Sequence, residues 1–190
     1  MDNKKNIENL VKNMSDELQQ LEELIKINGI NKVSIKFPRC FIRTADYFRE
    51  KYNFIYRKPL IDNIAYCLQV SDIYRWILNR FDLDFTAKEM LIKQGIVYLS
   101  SVIEAMCWYF VKYFLKVEPN KKFSKNLIKL KNKNFFSNEL LKNIEEFKKK
   151  RDNIHLQRLE HKELKKYTIN DYNEGIKIIH KIKEEIEKII

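Results

Sequence analysis

Apolar residues recur at Ile7, Val11, Met14, Leu18, Leu21 and Ile25, a 4-3-4-3-4 spacing. Only one narrow helical stripe satisfies that spacing, so residues 3–28 read as an amphipathic helix with a coiled-coil-like seam. Asn28-Gly29 is its stop signal. Residues 30–37 are rich in β-branched side chains and read as a short extended stretch before Pro38. Helical patterns follow over 38–52 and from Pro59 to about Arg80. Thr86 and Glu89 have the spacing of a capping box, which starts a helix running to about Lys116. That helix is apolar nearly all round and about 45 Å long, so it belongs at the centre of a bundle. Pro119 follows it. A short helix is expected over 121–132, a longer one from Ser137 as N-cap to about Glu160, and a last one from about Asn170. The last keeps Ile176, Ile179, Ile182, Ile186 and Ile189 on one side.

These patterns predict an all-α fold. A helical bundle of about five main helices occupies residues 59–190, and residues 1–58 form an N-terminal helical extension. Composition supports this. Gly and Pro occur three times each, too few for the turns of a sandwich or barrel. Hydrophobic residues make up 45% of the chain, enough for a buried core and too many for global disorder.

The net charge is +11. Lys occurs 29 times, Ile 25 and Asn 18, a mix that A/T-rich codon usage produces, so the distribution of charge informs more than its total. Between Lys116 and Arg151 there are 12 Lys/Arg and 4 Asp/Glu. A basic segment of that density suits a phosphate backbone; the plainer alternative is a solvated lysine face.

Cys40, Cys67 and Cys107 are far apart and form no CxxC. They read as buried free thiols in a reducing compartment. The polar N-terminus carries no apolar signal region, which points to a cytoplasmic protein. The most apolar run, 94–111, contains Ser100, Ser101 and Glu104 and is short for a membrane span. No membrane role is expected. A membrane-surface role for the 116–151 lysines lacks the apolar face with exposed Trp that it would need.

No phosphate-binding glycine loop, HExxH or G-x-S-x-G is present, so no cofactor or metal is expected. The informative segment is Lys149-Lys150-Arg151-Asp152-Asn153-Ile154-His155-Leu156. The apolar seam of its helix runs Leu140, Ile144, Phe147, Ile154. The missing position is occupied by Arg151. On a continued helix, His155 and Arg158 would share that face. A guanidinium on a packing seam requires a carboxylate or an open cleft. Glu104, the only charged residue between Lys93 and Lys112, is the matching carboxylate. The expected solution pairs a buried Glu104 with Arg151 or His155 across the bundle. Such a pair either fixes helix register or belongs to a functional site.

The RDNIHL segment late in a helical bundle resembles the Arg–polar–x–His motif of the HEPN superfamily (higher eukaryotes and prokaryotes nucleotide-binding). The stretch YLSSVIEAMCWYF, Tyr98 to Phe110, is similar to the acidic position in an earlier helix of many members. The resemblance covers residues 59–190. Three residues separate Arg151 from His155, a shorter spacing than the family's usual one. The resemblance implies a commonly dimeric all-α bundle, often a metal-independent endoribonuclease of toxin–antitoxin or anti-phage defence systems. Carried over by position, Arg151 and His155 are the motif residues and Asp152 the polar residue after the arginine.

In that chemistry the RNA 2′-hydroxyl attacks the phosphate and His155 moves the proton. Arg151 stabilises the developing charge, and Asp152 or Glu104 orients the imidazole. Lys148, Lys149, Lys150 and Arg158 would hold the RNA backbone. RNA, a second copy of the chain and a cognate antitoxin or defence partner are the expected partners. The rival expectation is a non-catalytic module binding nucleic acid or a partner protein, with a structural Arg151–Glu104 pair.

Overall fold

The computed structural model describes residues 2–29, 42–154 and 167–190. The expected extended stretch over 30–37, Cys40, His155 and Arg158 lie outside these. The described residues form seven helices and no strand, so the chain is an all-α helical bundle. The helices are α1 (Asp2–Asn28), α2 (Ala45–Lys51), α3 (Lys58–Arg80), α4 (Phe85–Tyr113), α5 (Phe123–Asn132), α6 (Asn138–Asp152) and α7 (Ile169–Ile186). Two compact units divide the chain, residues 1–38 and 39–190, so α2 belongs to the larger one.

The smaller unit is built on α1, which ends with Gly29 in the left-handed backbone region at φ 63°. Of its seam, Ile7, Val11 and Met14 are more than half exposed and Leu18, Leu21 and Ile25 are half-buried.

In the larger unit α4 is the central helix and packs against α3, α5, α6 and α7. Ile96, Leu99, Met106, Cys107, Phe110 and Val111 on it are fully buried. Two glycines permit the tightest approaches. A Cβ on Gly95 would lie 2.6 Å from the Tyr172 ring, and one on Gly175 would lie 2.4 Å from Phe147. Helices α4, α6 and α7 therefore meet at a depth that any larger residue would disturb. A buried polar link closes the bundle: Tyr172 donates its hydroxyl to the Ser71 carbonyl at 2.7 Å, and the Ser71 hydroxyl donates back to Tyr172 Oη at 2.5 Å.

By length and composition α4 is long and apolar enough to cross a membrane, contrary to the expectation of a run too short, and half of its most apolar window is buried inside the protein. A central bundle helix has that character.

Several expected boundaries move. The capping box is not at Thr86: Asp84 caps α4 by accepting from the Phe85 N–H, and Glu89 is buried one turn into the helix. Among the described residues, a capping box forms at the start of α7, from Thr168 and Asp171. Ser137 caps α6 as expected, accepting from the Leu140 N–H. However, α6 ends at Asp152 rather than continuing to about Glu160. Asn153 and Ile154 donate to the carbonyls of Lys149 and Arg151 in a closing turn. Asp152-Asn153 are weak helix formers, and Lys149, Lys150 and Arg151 complement the negative end of the helix dipole.

Candidate functional site

The seam of α6 is interrupted where the periodicity places the interruption. Leu140, Ile144 and Phe147 are buried, and Arg151 follows on the same face in the last turn. Its guanidinium donates from Nη2 to Oε2 of Glu104, in the middle of α4, at 3.2 Å. Nη1 donates to Oδ1 of the neighbouring Asp152, also at 3.2 Å. The other Asp152 oxygen accepts from the ammonium of Lys148. Glu104, Arg151, Asp152 and Lys148 thus alternate in sign along one network at the α4–α6 contact. Burial raises the Asp152 carboxyl pKa, but the Lys148 and Arg151 cations outweigh it and hold the group below the usual carboxylate range.

Glu104 is not the buried carboxylate expected. Its side chain is 33% exposed and that of Arg151 31%. The face of α4 that carries Glu104 opens to solvent beside Ala105 and Trp108. On its α6 side, Glu104 borders a small cavity with Ser100, Ile103, Phe147, Lys148 and Arg151. The cavity holds about 10 Å³, about the space of one water. The Ser100 hydroxyl is buried with no hydrogen-bond partner among the described residues. A cavity of that size is too small for a nucleotide. On its other side, Glu104 borders an open depression of about 400 Å³ with Arg57, Leu60, Ser101, Ala105 and Trp108. Any ligand meeting the Glu104–Arg151 pair reaches it from outside the helix contact.

The three lysines of the motif are not equivalent. Lys148 is engaged by Asp152. Lys150 bridges Asp171 at 2.6 Å and Glu174 at 2.5 Å on α7. Lys149 is exposed. Arg151 and Asp152 are brought together with Glu104. His155 and Arg158, expected to share this face, lie outside the described residues, which here end at Ile154.

A second polar cluster had no signal in the sequence. Asp72 on α3 is 5% exposed and takes a bidentate bond from Arg43, at 2.7 Å from Nε and 2.5 Å from Nη2. Tyr52 and His180 line the same small cavity. Burial lowers the His180 pKa, reinforced by the charges of Lys51, Arg43 and Arg75 and opposed by Glu184. Only the burial of a single aspartate in the apolar face of α3 marks this cluster, and burial is not visible in composition.

Cys67 is half-buried and Cys107 fully buried, both as free thiols. Burial pushes both thiols up in pKa, and the Glu104 carboxylate adds to the effect on Cys107. Among the described residues no three His, Cys, Asp or Glu side chains are grouped to hold a metal ion. No family model, curated protein or solved structure matches the chain.

Proposed function

We propose that the protein is a HEPN-like, RNA-directed protein: a metal-independent endoribonuclease of a toxin or anti-phage defence system, acting in the cytoplasm as a homodimer. The observation that carries this reading is Arg151, a seam arginine held at the α4–α6 contact by Glu104 and Asp152 and one-third exposed. A guanidinium oriented by two carboxylates presents its remaining N–H donors in a fixed direction, the arrangement that suits a phosphorane. The RNA 2′-hydroxyl is the nucleophile, His155 moves the proton, and the products are a 2′,3′-cyclic phosphate and a 5′-hydroxyl. A second copy of the chain completes the groove, since one Arg and one His are a sparse catalytic set. A cognate antitoxin or defence partner holds the activity in check.

A specific observation favours a second reading. Arg151, Lys148 and Lys150 all have carboxylate partners within the chain. That is the pattern of a non-catalytic module, binding nucleic acid or a partner protein, whose Arg151–Glu104 pair is structural.

Incubation of the purified protein with total RNA in EDTA, followed by end-group analysis, separates the two. Cyclic-phosphate ends that disappear in His155→Ala support the nuclease. RNA retention without new ends supports the binding module.

A further inference from the structure

The depression beside Glu104 is lined by Arg57 and Trp108, and Lys112 and Tyr113 lie against the Trp108 ring. Trp108 on α4 is half-buried, with the Arg57 guanidinium 5.7 Å and the Lys112 ammonium 5.2 Å from its ring centroid. Tyr56 is 77% exposed, and Tyr113, also exposed, packs edge-on against Trp108. Exposed aromatic rings interleaved with cations bind nucleic acid bases and phosphates together. The arrangement is held rigidly. Tyr109 accepts the Tyr56 N–H at 3.0 Å and donates to the Phe54 carbonyl at 3.1 Å, which pins the chain before α3 over α4.

We propose that this depression is a subsite for an unpaired nucleobase of single-stranded RNA, stacked on Trp108 and followed at its phosphates by Arg57 and Lys112. The proposal rests on the reading of the chain as RNA-directed and names the part of the substrate that meets it. Three features argue for a base. The depression is open and shallow, which suits a flat base laid on a surface ring. The Trp108 ring lines the depression, so a base that displaces a cation from it gains an aromatic face, and the freed cation turns to the phosphate. Glu104 at the rim repels phosphate but accepts N–H groups, and a carboxylate already bonded to Arg151 keeps acceptor capacity for a base edge. The charge pattern therefore turns the base edge toward Glu104 and the backbone toward the cations. Glu104 also touches Arg151, so a base seated here delivers an adjoining phosphate to the Arg151 side. A base inside a duplex cannot stack on a protein ring without being unstacked first, so the subsite selects single strands.

The test uses the full chain and a fluorescein-labelled adenylate octamer, with the same octamer in a duplex as comparison. Trp108→Leu should weaken single-strand binding about tenfold or more, and Trp108→Phe should retain most of it. In a Trp76→Phe background, the single remaining Trp emission should be quenched on adding the octamer, a readout that leaves residue 108 intact. Equal octamer affinity for Trp108→Leu and the unmutated chain, or no quenching at saturation, overturns the subsite while leaving RNA binding in place. Duplex bound as tightly as single strand also overturns it. Failure of the unmutated chain to bind any single-stranded RNA removes the RNA-directed reading itself.

Discussion

Glu104 and Arg151 stand 47 positions apart in the chain and meet at 3.2 Å where α4 crosses α6. Each side chain is about one-third exposed, so water screens the pair. Ion pairs in that setting contribute about 1 kcal/mol or less, not the several kcal/mol of a buried pair. Arg151→Ala should therefore lower stability by about 1 kcal/mol or less, a few degrees in Tm at this chain length, with no loss of fold. The Arg151→Met, Glu104→Met double variant should also stay folded. On the nuclease reading, both variants and His155→Ala lose RNA cleavage while melting close to the parent protein. A folded, fully active His155→Ala protein would end the assignment of catalysis to this motif.

The lysine run should separate into two behaviours. Lys149→Gln should weaken RNA binding and reduce the slope of log affinity against log salt by about one, with stability within about 0.5 kcal/mol of the parent. Lys150→Gln removes the cation that Asp171 and Glu174 share, and should lower stability by about 1 kcal/mol as well. Salt-titrated binding with parallel thermal melts reads both effects. Replacing Lys148, Lys149 and Lys150 together should flatten the salt slope further without unfolding the bundle.

Gly175→Ala tests the packing of α7. The new Cβ would lie 2.4 Å from Phe147 Cζ and 2.9 Å from Leu99 Cδ1. Overpacking of this kind costs about 1–3 kcal/mol, so the urea midpoint should fall clearly. An unchanged midpoint would mean that α6 and α7 separate more easily than their contact implies.

Acid should act first at His180. Burial, then the cations Lys51, Arg43 and Arg75, hold its folded pKa below the ordinary value, with Glu184 opposing. The unfolded chain then binds more protons than the folded one below about pH 6.5. The contribution is fully present above that pH and is lost as pH falls through it toward the folded value. Urea midpoints should decline from pH 7.5 to 5.5, and His180→Asn should flatten that decline. Asp152 and Asp171 are held below the ordinary carboxylate range by their cation partners, so they titrate at lower pH than His180.

The narrow apolar seam of α1, exposed at Ile7, Val11 and Met14, predicts association. Light scattering should give a dimer, about twice the 23.1 kDa of one chain. Val11→Lys with Leu18→Lys, which places charge on the seam, should return it to the monomer. A monomer at high micromolar concentration for the unmutated chain would count against the dimeric site.

Much of this protein was legible in its sequence because helices are local objects. A 3.6-residue period in apolar side chains is enough to place α1, α3, α4 and α7, and scarcity of Gly and Pro is enough to exclude a β fold. The interruption of the α6 seam at Arg151, and Glu104 as its partner, were legible for the same reason: a charge on an apolar stripe stands out by period alone. What the tertiary structure decided depends on which surfaces cover one another. Only packing leaves Glu104 one-third exposed instead of buried, because the apolar run around it carries no record of where the neighbouring helices stop. Only packing ties Lys150 to α7 and leaves Lys149 in solvent, though the two are adjacent and identical in kind. The end of α6 at Asp152 was decided by a turn that competes with helix on small energy differences. The groups gathered by Trp108 come from α4 and from the chain just before α3, about 50 residues earlier, and no linear pattern joins them.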